Sequence, residues 1–263
     1  MSKKVLITGA TRGIGKAICE EFLNHSYTVF GTYHKPSDYL REQRQKYGNM
    51  VRWLGPYDFT DTSSAESLLS EIKDEVFNAV VCNAGIFSSN DDFENFNPVL
   101  FEQVMNCNFY APLIITLGLK SQIVDSGSIV IISSNDAYSG AYSSISYSVS
   151  KAALISLTKC LSVNYGKRGI RVNAVAPGAI DTDMNTEEQL RISPYFTPIS
   201  RVGKPEDVSK LVYFLSSDES TFISGQDIVI DGGFVNMNIL LKSEHDEALS
   251  ENLMNFVHKN QSF

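Results

Sequence analysis

The sequence predicts an α/β fold: one domain built on a doubly wound, all-parallel sheet of about seven strands, with helices on both faces. Three observations predict it. Short, almost continuously apolar runs recur along the chain, and most are followed by an amphipathic stretch of helical period. Strands without polar alternation are buried on both faces, and the alternating helices supply the cover, through right-handed crossovers. The third is size: 263 residues, 43% apolar and 20% charged, can bury a single core without staples. No repeat, linker or low-complexity segment divides the chain.

The elements follow in order. KVLIT at 4–8 is β-branched and apolar, and in GKAICEEFLNH at 15–25 Ile18, Phe22 and Leu23 share a helical face. YTVFGTY at 27–33 is the second strand, and DYLREQRQKYG at 38–48 a helix ending on glycine. MVRWLG at 50–55 is the third strand, followed by a helix at 62–75 with its N-cap at Thr62 or Ser63. NAVVCNAG at 78–85 leads to one long helix at 97–120, and GSIVIISS at 127–134 to another at 145–169. IRVNAVAPG at 170–178 is the sixth strand, PEDVSKLVYFLSS at 205–217 a helix opened by Pro205, and QDIVIDGG at 226–233 the last strand. Residues 237–263 stand apart from the domain at 1–236 as a helical extension. There Ser243 with Asp246 forms a capping box, and Leu249, Leu253, Phe256 and Val257 share a face. The extension is expected to dock, to join an oligomer contact or to cover the site.

Composition excludes several function classes. A net charge of −8 disfavours nucleic acid and anionic membranes. Cysteines 19, 82, 107 and 160 form no CxxC pair, and histidines 25, 34, 245 and 258 have no ligand spacing, so no metal is expected. The four thiols read as reduced and buried in a cytoplasmic protein. No leader peptide and no bilayer-spanning run is read in the sequence.

Two motifs carry chemistry. TGATRGIG at 8–15 lies at a strand–helix junction. There Gly9, Gly13 and Gly15 allow a tight turn and let backbone N–H groups approach a pyrophosphate at a helix N-terminus. YSVSK places Tyr147 and Lys151 one helical turn apart, where an ammonium is expected to lower the tyrosine pKa toward the range useful for acid–base work. The hydroxyl of Ser134, at the end of the fifth strand, is placed to hydrogen-bond a substrate oxygen.

With CNAG at 82–85, PGAIDTDM at 177–184 and DGG at 231–233, these motifs stand in the order and spacing of the short-chain dehydrogenase/reductase family. The chain resembles that family over residues 3–234. The resemblance implies a Rossmann-type fold and hydride transfer between a nicotinamide cofactor and a carbonyl or secondary alcohol. It implies Asn108, Ser134, Tyr147 and Lys151 as the catalytic set. Asn108, with Asn106 two residues away, would hold a water that relays protons to Lys151. The cofactor would meet Gly9, Thr11, Arg12, Gly13, Ile14 and Gly15, then Asp58 and Phe59 at the adenine, and Asn83, Ala84 and Gly85. Tyr147, Lys151, Pro177, Gly178, Ile180 and Thr182 would complete its site, with Lys151 on the ribose.

NAD-binding relatives usually end the second strand in an acid. Here Tyr33 takes that place, and Arg12, His34 and Lys35 offer charge to a 2′-phosphate, so NADP(H) is favoured, with NAD(H) possible. The substrate wall reads Ser134, Asn135, Asp136, Tyr138, Tyr142 and Tyr147, polar enough for a small hydroxylated molecule such as a sugar or polyol. An alternative is a 3-oxoacyl-carrier-protein reductase, for which Arg168 matches a basic docking position but Asp125 opposes an acidic carrier. Another is a catalytically silent NADP(H) sensor that kept the fold. The resemblance also implies a homotetramer or homodimer assembled through the helices at 97–120 and 145–166.

Overall fold

A computed structural model describes residues 2–88, 91–140, 142–238, 242 and 251. Seven parallel strands form one sheet in the order β3-β2-β1-β4-β5-β6-β7. They are β1 (Lys4–Ile7), β2 (Thr28–Thr32), β3 (Val51–Leu54), β4 (Phe77–Cys82), β5 (Ile123–Ile132), β6 (Arg171–Pro177) and β7 (Asp227–Ile230). The helices are α1 (Gly13–Asn24), α2 (Asp38–Tyr47), α3 (Ser63–Glu71), α4 (Pro98–Met105), α5 (Ala111–Gly118), α6 (Ile145–Tyr165), α7 (Glu187–Phe196) and α8 (Pro205–Ser216).

Side-chain alternation along each strand splits the core in two. On one face Leu6, Val80, Cys82, Ile129 and Ile131 pack under α3, α5 and α6, with Leu68, Ile115, Leu154 and Leu161. On the other, Val5, Ile7, Ala79, Val81 and Val130 meet Ile18 and Phe22 of α1 and Val208, Val212 and Leu215 of α8. Because both faces are covered, the central strands are apolar at nearly every position, which is what made them readable. β1 pairs with both β2 and β4. Strand order therefore reverses between β1 and β4, opening at their carboxyl ends the crevice where such sheets bind ligands.

Several expectations are corrected. The helix at 97–120 is interrupted by a π turn, Asn106–Tyr110, between α4 and α5. Thr62 takes the N-cap position of α3 as expected but makes no side-chain cap; Asp61 Oδ1 instead accepts the Ser63 N–H at 2.9 Å. β5 ends at Ile132, so Ser134 lies beyond the strand. The segment after PGAIDTDM, to which the sequence reading assigned no element, contains α7, capped reciprocally by Thr186 and Gln189. Cys19, Cys82 and Cys107 are buried, but Cys160 is exposed on α6, outside its Leu154–Leu157–Leu161 stripe. Ser243, Asp246, Leu249, Leu253, Phe256 and Val257 lie outside the described residues. Among the described residues no helix is long and apolar enough to cross a membrane, and no cluster could hold a metal ion.

Candidate functional site

The crevice is built by hydrogen bonds between the segments after β1 and β4. The Thr8 hydroxyl accepts the N–H groups of Asn83 and Ala84, both at 3.0 Å, and Asn83 Nδ2 donates to the carbonyls of Thr8 and Gly9. From the other side Gly9 N–H donates to Thr32 Oγ1 at 3.0 Å. Gly9 and Gly13 have φ of +65° and +49°, which favour glycine. Gly15 is needed for space instead, since a Cβ there would lie 2.0 Å from Gly9 O. Thr8 was legible only as a strand end; its role depends on partners some 75 residues away.

This turn fits a dinucleotide's pyrophosphate. α1 has no side-chain cap and no acid in its first turn, so its leading N–H groups are free for an anion. Arg12 is exposed and has no ion-pair partner among the described residues, Thr11 and Ile14 flank it half-buried, and Thr182 packs against Gly13. Of the residues beyond β2, His34 faces Asp58, with Nε2 at 3.8 Å from Oδ2, and the Tyr33 hydroxyl donates to Gly55 O. Hydrogen bonds from Thr60 hold the Asp58 carboxyl below its usual pKa, helped by the charges of His34 and Lys35. Phe59 is buried in the core. Pro177 ends β6, and Gly178 N–H donates to Ile230 O. Asp231 leaves no room for a Cβ on Gly178, and Ile180 is buried.

The chemical residues meet beside this crevice. Lys151 and Tyr147, on α6, are 3% and 8% exposed, and Ser134 is 6% exposed. Lys151 Nζ donates to Ile132 O at 2.9 Å and lies 5.4 Å from the Tyr147 ring centroid. Phe87 packs edge-on against Tyr147 at 5.2 Å. Burial pushes Tyr147 up to about 12, opposed by its hydrogen bond with Ser134 and assisted by the Asp136 charge. Burial also pulls Lys151 down to about 8, against the opposing influences of Cys107 and Asp136. The expected lowering of the tyrosine by the lysine is therefore not found. Desolvation dominates both groups, an effect that spacing along a helix does not reveal.

The π turn separates the two asparagines. Asn106 Nδ2 donates to Thr60 O, away from Lys151. Asn108 is fully buried, exchanges hydrogen bonds with Ile86 N–H and C=O at 2.8 and 2.9 Å, and donates to Ser150 Oγ. A Cβ on Gly85 would come within 3.3 Å of Asn108 Oδ1 and 3.5 Å of Lys151 Nζ, so this glycine leaves open the space that they border. Asn135 and Asp136 form the turn after Ser134, whose Oγ accepts the Asp136 N–H at 3.2 Å. Tyr138 is tied to Asp227 at 2.7 Å, and Tyr142, at 97% exposure, points into solvent rather than joining Tyr147.

Sequence reasoning missed Asp91. It is fully buried; its Oδ2 accepts the Ser146 N–H at 2.5 Å and its carbonyl accepts the Ile145 N–H, closing the first turn of α6. Asp91→Ala is expected to lower stability by about 1–3 kcal/mol, with Asp91→Asn recovering part of it. A wild-type thermal melt of the alanine variant would refute this.

A crevice at the switch point, a glycine turn shaped for pyrophosphate and a buried Ser–Tyr–Lys cluster define an NAD(P)-dependent oxidoreductase acting on alcohol or carbonyl groups. The chain belongs to the short-chain dehydrogenase/reductase family. A family model described as Enoyl-(Acyl carrier protein) reductase matches residues 9–235. A 3alpha-hydroxysteroid dehydrogenase of Mediterraneibacter gnavus is 33% identical over 88% of this chain and 96% of its own. The 3-oxoacyl-[acyl-carrier-protein] reductase FabG of Rickettsia conorii is 34% identical over 89% and 97%. Among solved structures, a short chain dehydrogenase family protein from Francisella tularensis superposes with a TM-score of 0.81 at 28% identity, covering 90% of this chain and all of the other. ElxO with NADP bound gives 0.79 at 30% identity with the same coverage.

Proposed function

We propose that the chain is an NADP(H)-dependent carbonyl reductase for a small polar substrate, with Tyr147 as general acid–base. The observation that carries this reading is the buried Ser134–Tyr147–Lys151 cluster beside the glycine turn. Bound nicotinamide would supply a hydride to the carbonyl carbon. Ser134 donates a hydrogen bond to the carbonyl oxygen and orients it. Tyr147, protonated because burial holds its pKa near 12, gives its proton to that oxygen as negative charge develops. Lys151, titrating near 8, returns a proton to Tyr147. Asn108 has committed both amide hydrogens and one acceptance to protein partners. It therefore fixes the π turn and leaves a single lone pair for a relay water beside Lys151.

The absence of an acid at Tyr33, together with the exposed Arg12, which has no ion-pair partner among the described residues, supports NADP(H) over NAD(H). His34 contributes less than the sequence suggested, because it faces Asp58. A carrier-protein substrate is disfavoured. Arg168 Nε binds Asp125 at 2.7 Å, and its guanidinium also donates to the carbonyls of Lys120 and Ile123, so its charge is engaged within the chain. A homotetramer or homodimer through α4, α5 and α6 is supported by exposed Val99, Leu117, Val149 and Val163 on these helices and Tyr110 in the π turn between α4 and α5. A light-scattering mass of one chain would refute it.

The test is NADPH oxidation over keto-sugars, simple ketones, quinones and an acetoacetyl thioester. NADPH is expected to exceed NADH at least tenfold in kcat/KM, and parity would overturn the preference. Tight NADPH binding with no turnover of any compound would favour a sensor.

A further inference from the structure

We propose that Asp91 is a positioning residue for Tyr147, holding the general acid–base in place through a tie made from outside its helix. This rests on the oxidoreductase reading above. A helix usually begins on the side chain of its own N-cap residue. α6 does not, since Ser144 makes no side-chain cap. Asp91 takes over that task from 54 residues upstream of Ile145. Its carbonyl accepts the Ile145 N–H and its Oδ2 the Ser146 N–H, so it orders the two residues that lead into Tyr147. Asp91 is fully buried and acts through these contacts.

The segment that ends on Asp91 reaches the catalytic set twice more. Phe87, four residues earlier, meets the Tyr147 ring edge-on, and Ile86 exchanges two hydrogen bonds with Asn108. Ser150 closes the circuit: its Oγ accepts from Asn108 Nδ2 and donates to the Tyr147 carbonyl at 2.7 Å. Tyr147 is thus held at its ring, at its carbonyl and, through Asp91, at the residue before it. Stability alone accounts poorly for an acid here. Asp91 Oδ1 and Ser146 Oγ are both buried without a hydrogen-bond partner among the described residues, which costs free energy. Polar groups kept buried at such a cost are expected where a site must be held in place.

Asp91→Ala is expected to lower kcat for carbonyl reduction about thirtyfold, because misplacing a reacting group by about 1 Å costs up to about a hundredfold. KM for the carbonyl compound and for NADPH should stay within about threefold, the split that marks lost positioning rather than lost binding. Asp91→Asn keeps an oxygen for the Ser146 N–H and should bring kcat back to within about threefold of the wild type. Asp207→Ala controls for destabilisation alone. It removes the acceptor of the Lys204 N–H at the start of α8, on the other face of the sheet, and should leave kcat unchanged. Asp91→Ser, whose hydroxyl is one bond too short to reach, replaces the alanine variant if that one does not fold. Wild-type kcat in Asp91→Ala, an equal loss in Asp91→Asn or the same loss in Asp207→Ala overturns the proposal. Turnover of no carbonyl compound by the wild type sinks the reductase reading alone. Position is then read by ¹⁹F NMR of protein labelled with 3-fluorotyrosine, the Tyr147 signal being the one missing from Tyr147→Phe. That signal is expected to shift in Asp91→Ala and to return in Asp91→Asn. A signal that Asp91→Ala leaves unmoved overturns the positioning role.

Discussion

Tyr147→Phe is expected to lower kcat for carbonyl reduction by roughly a thousandfold, the range that a positioned general acid supplies. The substitution keeps the ring that meets Phe87 edge-on and removes only the hydroxyl, so the thermal melt should stay close to that of the wild type. A matched loss of kcat and kcat/KM would mark an interaction made only in the transition state. The pH profile adds a second readout. Tyr147, near 12, stays protonated throughout the working range, whereas Lys151, near 8, does not. Below about pH 8 the lysine is charged and can return the proton; above it the neutral amine cannot, so the reduction rate should fall as pH rises through 8. Asp136 and Cys107 favour the lysine's charged form; burial raises the Asp136 carboxyl above its usual range and pushes the Cys107 thiol up to about 12. Retention of kcat in Tyr147→Phe, or a rate flat to pH 10, would remove Tyr147 or Lys151 from its assigned part.

Much of this arrangement was legible because the fold writes itself locally. Parallel strands buried on both faces read as unbroken apolar runs, and the glycine turn sits where β1 becomes α1. The failures share a cause: each depends on partners distant in sequence or on a local signal that other residues mask. α7 was missed because Pro194 and Pro198 mask the helical pattern, yet Thr186 and Gln189 have the spacing of a capping box and were readable. The π turn in NCNFY has no periodic signature, and only its effect, separating Asn106 from Asn108, shows what it does. Tyr147 departed from expectation because the spacing to Lys151 is local, while the burial that outweighs it comes from packing such as Phe87, sixty residues earlier in the chain. Asp91 lacked any signal at all: an acid in a polar run gives no hint that it closes a helix beginning at Ile145.

Gly15→Ala is expected to remove nucleotide binding and to destabilise the fold. Its backbone is ordinary helix, so the cause is space, not strain. The added Cβ would sit 2.0 Å from Gly9 O and 2.4 Å from Asn83 Nδ2. Neither neighbour can yield independently, because Asn83 Nδ2 donates to that same carbonyl and Asn83 N–H is held by Thr8 Oγ1. Relief requires the glycine turn to move away from β4, which also displaces the N–H groups at the start of α1. Forcing a methyl into such a contact costs about 3 kcal/mol or more, a fall in melting temperature of roughly 6–12 °C for a chain of this size. Gly166→Ala is the control: nothing lies within 4 Å of its Cβ and its φ is −57°. There the smaller entropy of the unfolded chain should leave stability unchanged or raise it by up to about 1 kcal/mol. Thermal melts and a fluorescence titration with NADPH decide the matter. The expected outcome is a large destabilisation and a Kd at least a hundredfold weaker for Gly15→Ala, against wild-type binding for Gly166→Ala. Wild-type binding by Gly15→Ala would mean that the junction of β1 and α1 does not hold the pyrophosphate, and the nucleotide site would have to be sought elsewhere in the crevice.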